Sequence, residues 1–111
     1  MTLLESAKRK LANHKAIIFD DKANLIWRSD AWHSQGGTFT DTEKRRCHGT
    51  GWQEFIDHDD LVQVLAWLIS PHTHWHITFQ CMAPTTGQHH RCLWRKTQLG
   101  KKHWIVIGSY L

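Results

Sequence analysis

The end of the chain alternates, and that pattern limits the folds open to it. Trp75, Ile77, Phe79 and Cys81 fall on one side, and His74, His76, Thr78 and Gln80 on the other. A period of two belongs to a strand, because successive side chains leave opposite faces of a pleated backbone. Pro84-Thr85-Thr86-Gly87 reads as a turn, and His89 to Thr97 as the returning strand. After Leu99-Gly100-Lys101-Lys102 a last strand runs from His103 to Tyr110. Three strands joined by tight turns make an antiparallel meander. In its last strand Trp104 and Val106 point one way and Ile105 and Ile107 the other, so both faces of the sheet need cover.

One face belongs to the core under helices upstream; the other needs the N-terminal helix or a second subunit. Leu61, Leu65 and Leu68 form a helical stripe, broadened by Val64 and Ile69. Asp57 is placed to cap this helix, Asp59 and Asp60 sit in its first turn, and Pro71 closes it. The expected long helix spans about 57 to 69. Trp52, Phe55 and Ile56 make one helical turn before it. Residues 30 to 50 are polar, with Gly36-Gly37 and Gly49, and predict a loop with short helical turns at most. Further upstream, Ala16-Ile17-Ile18-Phe19 and Leu25-Ile26-Trp27-Arg28 flank Asp20-Asp21-Lys22-Ala23-Asn24, the signature of a hairpin. Thr2 and Glu5 have capping-box spacing, and Leu4, Ala7 and Leu11 follow at helical intervals, predicting an amphipathic helix that ends near Asn13. The fold class is therefore α+β, an antiparallel sheet with one face packed on helices.

At 111 residues the chain makes one domain. Its composition, 41% apolar and 22% charged, is that of a globular protein and rules out disorder and coiled coil. No apolar run reaches the roughly 18 residues of a membrane span. Lys8-Arg9-Lys10 near the start is unlike a signal peptide, and three cysteines without a C-x-x-C pair fit a reducing cytoplasm better than a disulfide framework. A cytoplasmic protein without a membrane partner is the expectation.

The order of elements resembles the PAS domain, a sensor and interaction module of signalling proteins. Ile17-Ile18-Phe19-Asp20 with Leu25-Ile26-Trp27 is similar to its opening hairpin. Gly51-Trp52-Gln53-Glu54-Phe55-Ile56-Asp57-His58-Asp59-Asp60 is similar to the family's run W-x-x-x-h-His-Pro-Asp-Asp ahead of its long helix, with Asp57-His58 where His-Pro is common. Residues 75 to 110 resemble its three-stranded C-terminal half, with Gly108 near the end. The resemblance implies a five-stranded antiparallel sheet with helices on one face over residues 15–111, preceded by an N-terminal helix over 1–14. It also implies a sensor or protein-interaction module in signal transduction, with a signalling partner protein and a small-molecule ligand. No cofactor is assigned. Arg45-Arg46-Cys47-His48-Gly49 does not match the flavin photosensors' G-x-N-C-R-F-L-Q, and the long helix lacks the interior histidine common to haem-binding members.

Seven tryptophans demand an aromatic interior. They either fill the core or line a ligand pocket between the long helix and the inner sheet face, where Trp27, Trp52, Phe55, Leu65, Leu68, Ile77, Phe79 and Trp94 are the candidates. Trp75 and Trp104 belong to the same aromatic set. His72, His74 and His76 share a strand face near His89 and His90, which reads as an exposed polar face or as a metal site. An odd-sum register of the hairpin would bring Cys81, Cys92 and His90 together on the inner face, where buried thiols ordinarily pack and a metal or redox role is the sharper alternative. Nothing points to an enzyme: there is no phosphate loop, H-E-x-x-H or G-x-S-x-G, and Asp57, Asp59 and Asp60 are explained by a helix start.

The formal charge of +4 comes from short clusters, Lys8-Arg9-Lys10, Lys44-Arg45-Arg46 and Lys101-Lys102. A small basic nucleic-acid-binding or regulatory protein is the alternative reading, but the clusters lie in different elements and no recognition motif accompanies them. Two apolar stripes on the last strand also predict a homodimer, with Leu3, Leu4, Ala7 and Leu11 of the helix meeting Ile105 and Ile107 across a two-fold axis.

Overall fold

Asp20 builds the first corner. Its Oδ1 accepts hydrogen bonds from the backbone N–H groups of Lys22 and Asn24, both at 2.9 Å, and its Oδ2 accepts one from Asn24 Nδ2 at 2.9 Å. This joins β1 (Ala16–Asp20) to β2 (Leu25–Arg28). Ala23 completes the turn with a φ of 63°, a conformation that favours glycine. Its methyl is buried all the same. The structure, a computed structural model, describes residues 1–29, 31, 33–34, 37–38, 41–70, 75–82 and 87–111. Pro71, His72, His74 and the turn at 84–86 therefore lie outside the described residues.

The helical cover follows the hairpin. Two short strands, β3 (His33–Ser34) and β4 (Gly37–Thr38), pair with each other. Next come α2 (Asp41–Cys47), a 3-10 helix at Gly51–Phe55 and α3 (His58–Ile69). The helix α2 replaces part of the expected loop; its polar sequence shows no apolar period, so pattern reading passes over it. Asp57 caps α3, its Oδ1 accepting from the Asp59 N–H at 3.1 Å. Asp60 reaches the sheet instead, its Oδ2 accepting from the Gln80 N–H at 2.9 Å. The far end of α3 is held by Lys96, whose Nζ donates to the Trp67 and Ser70 carbonyls and lies over the Trp67 and Trp104 rings at 4.9 and 4.6 Å. A cation suits a helix C-terminus.

Strands β5 (His76–Met82), β6 (His89–Leu99) and β7 (His103–Tyr110) form the meander, and β7 then pairs with β1. The result is a five-stranded antiparallel open sheet in the order β2-β1-β7-β6-β5. Its inner face carries Ile17, Phe19, Leu25, Phe79, Cys92, Trp94 and Val106, buried against Trp52, Phe55, Ile56, Val64, Trp67 and Leu68. Trp75 is not among them. It immediately precedes β5, its carbonyl still accepting from the Lys96 N–H at 3.0 Å, and is 60% exposed.

Part of the outer face lies against the N-terminal helix. Helix α1 (Leu3–Leu11) starts with a capping box, Thr2 Oγ1 accepting from the Glu5 N–H at 3.1 Å and Glu5 Oε2 from the Thr2 N–H at 3.3 Å. Leu3, Ala7 and Leu11 border a groove with Leu99 and Ile105 of the same chain. Ala7 is buried, Leu4 is half-buried, and so are Ile105 and Ile107. The bare isoleucine patch on which the expectation of a dimer rests is thus partly covered by the chain's own helix. Among the described residues no helix is long and apolar enough to cross a membrane.

Candidate functional site

Four aromatic rings meet beside the middle of the sheet. Trp94 packs edge-on against Phe79 at 4.8 Å and lies 5.9 Å from Trp52, which in turn meets Phe19 edge-on at 5.1 Å. Edge-to-face packing suits the ring quadrupoles. The Trp52 Nε1–H donates to the Ala23 carbonyl at 2.9 Å, so the turn that Asp20 closes also fixes this ring.

Beside the rings lies a cavity of about 60 Å³ between the sheet and the segment from α2 to the 3-10 helix. Ile17, Arg28, Cys81, Cys92, Trp94 and Tyr110 supply the sheet side; Cys47, Trp52, Phe55 and Ile56 close it from above. Two glycines set this roof. Gly49 takes a φ of 64° and pairs with Leu25 at the sheet edge through two backbone hydrogen bonds of 2.8 and 2.9 Å. Gly51 lies so close to α2 that an added Cβ would fall 1.7 Å from the Arg46 carbonyl oxygen.

The expected pocket residues divide. Trp52, Phe55 and Trp94 line the cavity. Leu68 and Phe79 are buried in the core, and Leu65 and Ile77 pack against it, but none of the four lines the cavity. Trp27 is on the other side of the sheet. Ile18 pairs with Trp27 and Phe19 with Leu25, so Ile26 is an extra residue in β2. That bulge reverses the facing of everything beyond it. Trp27 goes outward and Arg28 inward. The cavity accordingly sits under α2 and the 3-10 helix rather than under the long helix.

Arg28 and Tyr110 give the apolar cavity a polar corner that the pattern reading missed. Tyr110 was legible by parity, since it shares its strand face with Trp104 and Val106; Arg28 was hidden by the bulge. Burial holds the Tyr110 phenol above its ordinary value of 10.0, with the Arg28 charge opposing the shift and Cys47 adding to it. The His90 ring lies 4.6 Å from that of Tyr110, and its Nε2 is buried with no hydrogen-bond partner among the described residues.

The meander adopts the odd-sum register, Phe79 opposite Cys92 and Cys81 opposite His90. Cys81 and Cys92 are joined as a disulfide, their Cα atoms 6.6 Å apart. This corrects the expectation of three thiols. The two cysteines are diagonal neighbours on one face, a relation set by strand register and invisible in their spacing. Cys47 stays outside the bond and is buried. Among the described residues no group of three or more His, Cys, Asp or Glu side chains is placed to hold a metal. The histidines divide as well: His76 is opposite Arg95 on the outer face, whereas His90 is on the inner one.

No protein-family model and no curated protein matches the chain.

Proposed function

We propose that this chain is a PAS-type sensor module without catalytic activity, whose input is a small molecule held in the cavity beneath α2 and the 3-10 helix. The observation that carries this reading is the cavity itself. Its floor is the sheet and its roof a separate segment pinned at Leu25–Gly49, so a molecule inside touches both. The element order of hairpin, helices and meander supports the PAS-type reading. At about 60 Å³ the cavity is far below the roughly 300–1,000 Å³ of drug-sized sites. The ligand class is a molecule of a few non-hydrogen atoms, apolar but with an end that hydrogen-bonds at Arg28 or Tyr110. The sheet would carry the change in occupancy to a partner.

Native mass and tryptophan emission test this together. Purified protein should carry a small adduct, or its emission should respond saturably to short-chain probes such as propionate, through Trp52 and Trp94. No adduct, and no saturable response that Trp52→Phe or Trp94→Phe removes, would end the reading.

One observation favours nucleic-acid binding instead. Trp75 is exposed beside His76, with the Arg95 guanidinium 5.4 Å from its ring centroid and Arg91 also exposed on β6. Stacking on an aromatic within a basic surface is how single strands are held. Oligonucleotide affinity that falls steeply with salt and needs Trp75 would support that reading.

A further inference from the structure

The disulfide lies in the wall of the cavity. Cys81 and Cys92 both line it, and Cys47 lines it from the roof. The bond is not needed to hold its strands together: β5 and β6 pair continuously from His76–Arg95 to Met82–His89. Both cysteines have large neighbours across the sheet. Cys92 is flanked across the sheet by Phe79 and Tyr110, and Cys81 by His90 and Ile56. The face that both cysteines share is the wall of the cavity.

We propose that Cys81 and Cys92 form a reversible thiol–disulfide pair whose state sets the room in the cavity, with a peroxide as oxidant and a small thiol as reductant. This rests on the reading of the cavity as the input site. On reduction a first thiolate attacks Cys81, the less deeply buried residue of the two, forming a mixed disulfide and releasing Cys92, which takes up a proton. A second thiolate releases Cys81, which is also protonated, and the reductant leaves as its own disulfide. On oxidation one thiol loses its proton and attacks the O–O bond of hydrogen peroxide, giving a sulfenic acid and hydroxide, which takes up that proton as water; the other thiol, deprotonated in turn, displaces the sulfenic oxygen as hydroxide, which becomes a second water as the S–S bond forms. The cavity, about 60 Å³ and mostly apolar, admits a molecule as small as peroxide. Separating the sulfurs from the roughly 2 Å of a bond to van der Waals contact takes room, and in a close-packed interior the cavity that both cysteines line is where that room exists. The reduced protein therefore has the smaller cavity.

Xenon reads that room without chemistry of its own. The intact chain is oxidised with hydrogen peroxide or reduced with 2-mercaptoethanol, its thiols are counted by alkylation and mass, and xenon affinity is measured by NMR in each state. Peroxide should remove two of three alkylatable thiols, leaving Cys47, and reduction should weaken xenon binding at least threefold. Cys81→Ala/Cys92→Ala should lose the response to peroxide, and Cys47→Ala should keep it. Equal xenon affinity in both states overturns the switch but leaves the input site standing. Binding in neither state overturns both. A bond that resists the thiol until the protein unfolds marks a structural staple and overturns the switch alone.

Discussion

Asp20 joins local geometry to the cavity, because the turn it closes presents the carbonyl that holds Trp52. Burial raises its pKa, but the hydrogen bonds from the Asn24 side chain and from the Asn24 and Lys22 backbones outweigh this, helped by the Lys22 charge, and the net value lies below the ordinary 3.8. A carboxylate with a depressed folded pKa contributes stability above its unfolded pKa and loses it as pH falls through the folded one. Asp20→Ala should therefore cost about 1–2 kcal/mol at pH 7. The gap from the parent protein should close as pH falls below 3.8 toward the folded value. Urea unfolding at pH 7 and pH 3 measures both. An equal gap at the two pH values would mean that the carboxylate's charge is not what holds the turn.

Among the elements, the roof of the cavity depends on one close approach. With a Cβ at Gly51 landing on the Arg46 carbonyl, Gly51→Ala has to push the 3-10 helix away from α2. We expect a loss of about 1–3 kcal/mol, together with faster hydrogen exchange at Leu25 and Gly49, whose amides bridge the roof to β2. Unchanged exchange there would show that the roof is held some other way. Long helix α3 was legible almost to the residue, because a capping Asp57 and the apolar stripe from Leu61 to Leu68 are local signals. The bulge at Ile26 was not, and it exchanged Trp27 for Arg28 in the cavity. A bulge is decided by what the neighbouring strand requires, and β1 must present Ile17 and Phe19 inward while pairing with β7 as well. Helix α2 escaped for the opposite reason: its sequence is polar, and Cys47 at its end carries its buried contact.

For the whole molecule, the two-faced β7 was readable from sequence, but its place between β1 and β6 was not, since pairings such as Ile18 with Ile105 join distant parts of the chain. That central position explains why both faces of β7 are apolar. Removing residues 1–14 should uncover Leu99 and Ile105, which border the α1 groove, each large apolar side chain worth about 1.5–3 kcal/mol when withdrawn from water, and the shortened chain should self-associate in sedimentation at tens of micromolar. The intact chain at the same concentration shows whose helix supplies the cover. A monomer keeps α1 on its own sheet; a dimer abolished by Ile105→Asp with Ile107→Asp places it on the partner's.

The proposed entry point for a small molecule is the space under α2 and the 3-10 helix. Methyl NMR of the oxidised protein under xenon tests it most directly. Saturable shifts are expected at Ile17, Ile56 and Met82, which border the cavity, and none at Leu3, Leu11 or Ile105 in the α1 groove. Shifts confined to the α1 groove, or no saturable shift at all, would contradict it.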